Sequence, residues 1–203
     1  MRTKRFFPYF LILIVVLGIH LVRADFAEAF ICSEGGFSIS MPGEPRLEQV
    51  NHKSIAGNVK EYSYTFENET EKYGTSYTPL PGIAFEFLSN DALLNKARKG
   101  FLKATGARQV SYKKIVSEGT DGTELEFQLP PVNDAAATSG KARFYIVDKK
   151  LYILRIMSVR GADGDALIDR YLNSFRLLPI PQLGTIEPHT ESVHANSSDR
   201  ACS

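Results

Sequence analysis

The amino-acid sequence predicts an α+β domain in which an antiparallel β-sheet is covered by two main helices. Three observations carry that expectation. Apolar and polar residues alternate over most of the chain between Gly36 and Leu178, which is the two-residue period of a half-buried strand. Turn residues interrupt the alternation at short intervals, so successive strands join as hairpins and run antiparallel. Only two segments place apolar residues at helical spacing, and such helices must bury their stripes against the sheet.

The elements follow in order. Phe37, Ile39 and Met41 alternate with Ser38 and Ser40, and Pro42-Gly43-Glu44-Pro45 stops the strand. A weaker strand is expected over Leu47 to Lys53, with a hairpin turn at Gly57-Asn58. Tyr62, Tyr64 and Phe66 share one face of the next strand, opposite Glu61, Ser63 and Thr65. Tyr73, Thr75 and Tyr77 alternate in the same way, up to Pro79-Leu80-Pro81-Gly82. Ile83 to Leu88 is compatible with a strand or with an approach to a helix.

Ser89, Asn90 and Asp91 are helix N-cap types, and Gly106 supplies a C-terminal stop. Between them Leu93, Leu94, Ala97, Phe101 and Leu102 form an apolar stripe, with Lys96, Arg98, Lys99 and Lys103 outward. Strands then run from Val110 to about Ser117 and through Leu125, Phe127 and Leu129, with a turn expected at Thr120-Asp121-Gly122. Ala142 to Val147 and Leu151 to Val159 are apolar on both faces, which belongs at the centre of a covered sheet. Asp163 or Asp165 caps a last helix whose stripe is Ile168, Tyr171, Leu172 and Phe175.

The two ends read differently. Arg2, Lys4 and Arg5 precede an apolar run, and Ala27-Glu28-Ala29 follows it, so residues 1–29 have the three parts of a secretory signal. Ala24 is a second cleavage point. The rival is an uncleaved inner-membrane anchor, although Phe6 to Val22 falls short of the ~20 residues that span a bilayer. Residues 30–35 form a short lead into the single domain at 36–178. Residues 179–203 hold little apolar content and are expected to be disordered. The two cysteines, Cys32 and Cys202, cannot make a disulfide framework for the middle of the chain, and whether they pair is open. Ile31 stands where a lipidation signal at Cys32 would need a small residue.

Composition narrows the function classes. A formal net charge of +1 gives no electrostatic footprint for nucleic acid. No nucleophile elbow, zincin motif or phosphate-binding loop occurs. His52 is the single histidine of the expected domain and reads as a solvated loop residue, so no metal cluster, cofactor or catalytic residue is expected. Glu124 and Glu126 lie on one strand face. They read as partners for Lys113, Lys114 or Arg143, or alternatively as a carboxylate pair for an enzyme. Arg155 sits in an apolar strand and needs either a counter-charge, with Glu124 or Glu126 as candidates, or a path to solvent along its own stem. Tyr62, Tyr64, Tyr73 and Tyr77 would form an aromatic binding surface if their strands pair.

Three stretches resemble the PsbP-like superfamily. They are Phe37-Ser38-Ile39-Ser40-Met41-Pro42-Gly43-Glu44-Pro45, the hairpin from Arg143 to Tyr152, and Tyr171-Leu172-Asn173-Ser174-Phe175-Arg176. The resemblance implies a layered sandwich used for binding or assembly, and it carries over no functional residue. The expectation is therefore an exported, non-enzymatic binding or assembly domain of the periplasm or exterior, with an envelope protein or small ligand as partner. Membrane contact would come only through an uncleaved N-terminal segment, which would make the protein an anchored structural one. The other alternative is a carboxylate-dependent enzyme.

Overall fold

The alternating segments pair into two antiparallel sheets in the computed structural model, which describes residues 29–54, 57–131, 138–159 and 165–179. A small sheet has the order β1-β2-β10, from Ala29–Cys32, Phe37–Ser40 and Arg176–Leu177. A seven-stranded sheet has the order β3-β4-β5-β9-β8-β7-β6. Its strands are β3 (Arg46–Ser54), β4 (Gly57–Glu67), β5 (Glu71–Pro79), β6 (Arg108–Ser117), β7 (Thr120–Gln128), β8 (Ser139–Val147) and β9 (Lys150–Ser158). The helices are α1 (Ile83–Phe87), α2 (Asn90–Thr105) and α3 (Asp165–Leu172). β9, apolar on both sides, is the central strand, as its composition requires.

The front face of the large sheet is covered by the small sheet and by α3. Phe37, Ile39 and Met41 from β2 meet Tyr64, Tyr73, Tyr77, Tyr152, Leu154 and Ile156, with Tyr171 and Leu172 from α3. Tyr171 is fully buried, and its hydroxyl lies 2.7 Å from Thr75 Oγ1 on the strand beneath. Burial raises the Tyr171 phenol well above its ordinary pKa, so it stays a neutral donor or acceptor. The back face is covered by α2 over β7 and β8. There Leu94 and Phe101 pack on Leu125, Phe127, Ala142 and Phe144.

α2 begins where Ser89 Oγ accepts a hydrogen bond from the Ala92 amide at 3.3 Å, and it ends at the left-handed Gly106. Ser89→Ala should therefore lower stability by about 1 kcal/mol in urea unfolding. A change under about 0.3 kcal/mol would mean that another group caps the helix.

Several expectations are corrected. The β6–β7 turn is Glu118-Gly119, with φ of 50° and 78°, and not Thr120-Asp121-Gly122. A two-residue hairpin needs positive φ at both positions. Gly122 is instead a strand residue opposite Tyr145, and a Cβ there would stand 2.5 Å from that ring. Ile83 to Phe87 forms the short helix α1. Gly57 and Asn58 are strand residues of β4, paired with Ser54 and Lys53, and not the hairpin turn. Residues 29–32 form β1, so the lead segment is part of the fold. Phe175 lies beyond the end of α3 yet stays in the same core. The two main helices are unequal covers, since α3 shares the front face with a second sheet. The signal, Asp163 and the C-terminal tail lie outside the described residues. Among the described residues no helix is long and apolar enough to cross a membrane.

Candidate functional site

Beyond the edge of α2 the back face changes character. Strand alternation places Glu61, Ser63 and Thr65 of β4 there, then Lys72, Gly74, Ser76 and Thr78 of β5, and Arg155 of β9. Gly74 pairs with Arg155 on one side and Thr65 on the other, and Ser76 pairs with Ser63. Arg155 crosses β5 directly over Gly74. A Cβ on Gly74 would lie 2.6 Å from Arg155 Nε and 3.0 Å from its Cγ, so only glycine leaves room for the guanidinium stem. The side chain reaches β4, where Nη2 donates to Ser63 Oγ at 3.3 Å.

This arrangement answers the question raised by an arginine in an apolar strand. Glu124 and Glu126 are not its partners, because they project from the front face of β7, two strands away from β9. Among the described residues no carboxylate forms an ion pair with Arg155. Its one protein partner there is a neutral hydroxyl. Beside it, Ser76 is 1% exposed and its Oγ has no hydrogen-bond partner. The site thus holds a half-buried cation and a buried hydroxyl, both short of partners. Either group alone is costly to keep in a fold.

Of the other charges on this face, Glu61 and Lys72 are engaged, and the exposed Arg46 and Glu48 of β3 stand opposite Thr65 and Ser63. His52 Nε2 lies 2.6 Å from Glu61 Oε2, and Lys72 lies 2.8 Å from Glu67. His52 is a strand residue of β3 and not part of a loop, although it is exposed as expected.

The remaining sequence candidates separate by burial. All four tyrosines share the front face, but Tyr64, Tyr73 and Tyr77 are core residues at 3%, 1% and 1% exposure. Only Tyr62 is partly exposed, stacked on Tyr77 with centroids 4.8 Å apart and Lys60 Nζ 5.2 Å from its own. The small sheet takes the surface that the four rings would have offered. Cys32 is fully buried and disulfide-bonded, and the chain's other cysteine, Cys202, lies outside the described residues.

Glu124 and Glu126 do share a face, and each is engaged. Arg143 Nε lies 2.7 Å from Glu124 Oε2 and Lys113 Nζ 3.0 Å from Oε1. Lys141 stands 3.8 Å from Glu126 and 3.4 Å from Asp169. Burial alone would push the Glu124 carboxyl up, but hydrogen bonds from Arg143 and Lys113 outweigh it and hold the group below the usual carboxylate range. A general acid needs the opposite shift. A depression of about 170 Å³ lies at the β6–β7 end of the front face, between Ser117, Tyr145 and Phe175, and the Glu118–Arg176 ion pair (2.9 Å) sits beside it.

No protein-family model and no curated protein sequence matches the chain. Its structure is similar to the solution structure of cyanobacterial PsbP (CyanoP) from Synechocystis sp. PCC 6803. The two are 14% identical with a TM-score of 0.51, over 74% of this chain and 91% of the other. A protein of unknown function from Pseudomonas aeruginosa aligns over 66% of this chain and 99% of its own, at 7% identity and a TM-score of 0.41. A likeness at this level of identity defines architecture and not activity. The chain therefore has a PsbP-like fold.

Proposed function

We propose that the protein is an exported, non-enzymatic binding domain of the cell envelope that meets its partner through the polar half of the back face. One observation carries this reading: Arg155 is held over Gly74 as a half-buried guanidinium whose one hydrogen-bond partner among the described residues is a serine hydroxyl. A fold that needed only a filled strand position would place an apolar residue there, as it does at Ile153 and Met157 on either side. A carboxylate enzyme is the less favoured reading, because Glu124 and Glu126 are both committed to cations.

Export is supported by the charged, apolar and small-residue order of residues 1–29. The mass of the mature protein tests it. A chain starting at Asp25 or Phe30 agrees with cleavage, and Phe30 would remove only the exposed Ala29 from β1. An intact Met1 in the membrane fraction would replace export and release with anchoring.

The binding surface is tested with a photo-crosslinking residue at Thr65, beside Arg155, and a control at Lys99 on the solvent side of α2. The Thr65 position should capture an envelope component in the wild type and lose it in Arg155→Ala. Equal capture from both positions would remove the back face from the proposal.

A further inference from the structure

We infer that Arg155, Ser63 and Ser76 form a receptor for a single carboxylate group. The inference rests on the back face being the binding surface, and it names the chemistry that surface recognises. The guanidinium is planar and presents its donors as a fork that matches a carboxylate in two parallel hydrogen bonds. Nη2 is used by Ser63, and the remaining donors have no protein partner among the described residues. None of them is among the buried unpartnered atoms, so they reach the solvent side of the site. Ser63 and Ser76 face each other in the β4–β5 register, so two hydroxyls form the floor beneath the fork. The Ser76 hydroxyl is buried and without a partner, a donor set in place for an acceptor the chain itself does not supply.

Charge decides between oxyanions. Arg155 is the one cation hydrogen-bonded to this floor among the described residues, and a single guanidinium balances a single negative charge. The backbone amides around it are spent in the β4–β5–β9 ladder, so no nest of N–H groups is free for phosphate oxygens. One cation with two hydroxyls fits a monoanion. A phosphate dianion would leave a buried negative charge in excess. Gly74 sets the geometry, since any side chain there would lift the guanidinium off its seat.

The test follows amide resonances of the folded protein, with the Arg155 side-chain signal, during titration at constant ionic strength. The probes are acetate, N-acetyl-dialanine as the free acid and as the C-terminal amide, and inorganic phosphate. Both carboxylates should shift Ser63, Gly74, Ser76 and Arg155 saturably, with acetate binding on the order of millimolar, as suits so small a ligand. The amide should shift none of them, and phosphate should bind more weakly than acetate. A peptide acid more than about tenfold tighter than acetate identifies a polypeptide terminus as the source, and equal affinity identifies a small carboxylate.

Arg155→Met should weaken the carboxylates by at least about tenfold, and Ser76→Ala by roughly threefold to tenfold, with the amide spectrum reporting that each variant is folded. Gly74→Ala should weaken them while keeping the arginine. No localised shift with any carboxylate, or phosphate binding tighter than acetate, overturns the inference. Local carboxylate binding without Arg155-dependent capture at Thr65 keeps this chemistry and removes the wider reading. Capture without carboxylate binding does the reverse.

Discussion

Phe37→Ala should lower the unfolding free energy by about 4 kcal/mol, the upper range for truncating a buried aromatic ring. Phe37 is fully buried at the junction of the two sheets. Its ring centroid lies 5.8 Å from Phe175, 6.1 Å from Tyr152, 6.2 Å from both Phe30 and Tyr64, and 6.3 Å from Tyr77. These neighbours come from four other strands and from the segment after α3, so no single shift can close the cavity. The cavity term therefore adds fully to the lost transfer energy. In guanidinium unfolding the midpoint should fall at unchanged slope, and the thermal midpoint should drop by about 10 °C for a domain of this size. Phe37→Leu, which keeps most of the volume, should lose clearly less. A loss under about 1 kcal/mol for the alanine variant would mean that the small sheet does not pack on the large one as described.

The sheet was legible in the sequence wherever alternation ran long enough. Tyr62, Tyr64 and Phe66 announce β4, and the two-sided apolar runs of β8 and β9 announce the centre of the sheet. β1 and β10 escaped because four and two residues show no period. The β6–β7 turn was misplaced because Asp121-Gly122 is a stronger hairpin signal than Glu118-Gly119. What overrides it is tertiary: the Tyr145 ring occupies the space above Gly122, which fixes that residue in the ladder. The same limit governs the site. Alternation puts the four tyrosines on one face, but nothing local says that a second sheet will cover them. Arg155 is visible as an anomaly in β9, yet its seat depends on β5 pairing with β9, strands about eighty residues apart. Strand order is a property of the assembled core, and no local pattern encodes it.

Strand order also sets the fate of Glu124, and here the expected effect is almost as large. Glu124→Gln should destabilise the fold by about 3 kcal/mol at neutral pH, because it leaves the Arg143 charge nearly buried without its counter-charge. The value falls toward the low end for a broken buried pair because Arg143 Nη1 still donates to Asn173 Oδ1 at 2.8 Å and to Leu172 O at 3.2 Å. Replacing both partners with Glu124→Gln and Arg143→Met should recover part of the loss, since an uncompensated charge and not a missing bond is the main penalty. The pH dependence follows from the depressed carboxyl pKa. The unfolded chain takes up a proton at Glu124 near the ordinary value of about 4.3, while the folded chain does so only at lower pH. Between those values the unfolded state binds more protons, so stability rises with pH there. The contribution is complete above about pH 5 and is lost as pH falls through the folded value. The wild type should therefore exceed Glu124→Gln by a constant margin from pH 7 to about pH 5, and the two should converge in more acidic solution. Parallel stability curves through that acidic range would show that Glu124 is held by shape and not by charge. The network would then lose its role as the tie between β6, β7, β8 and the end of α3.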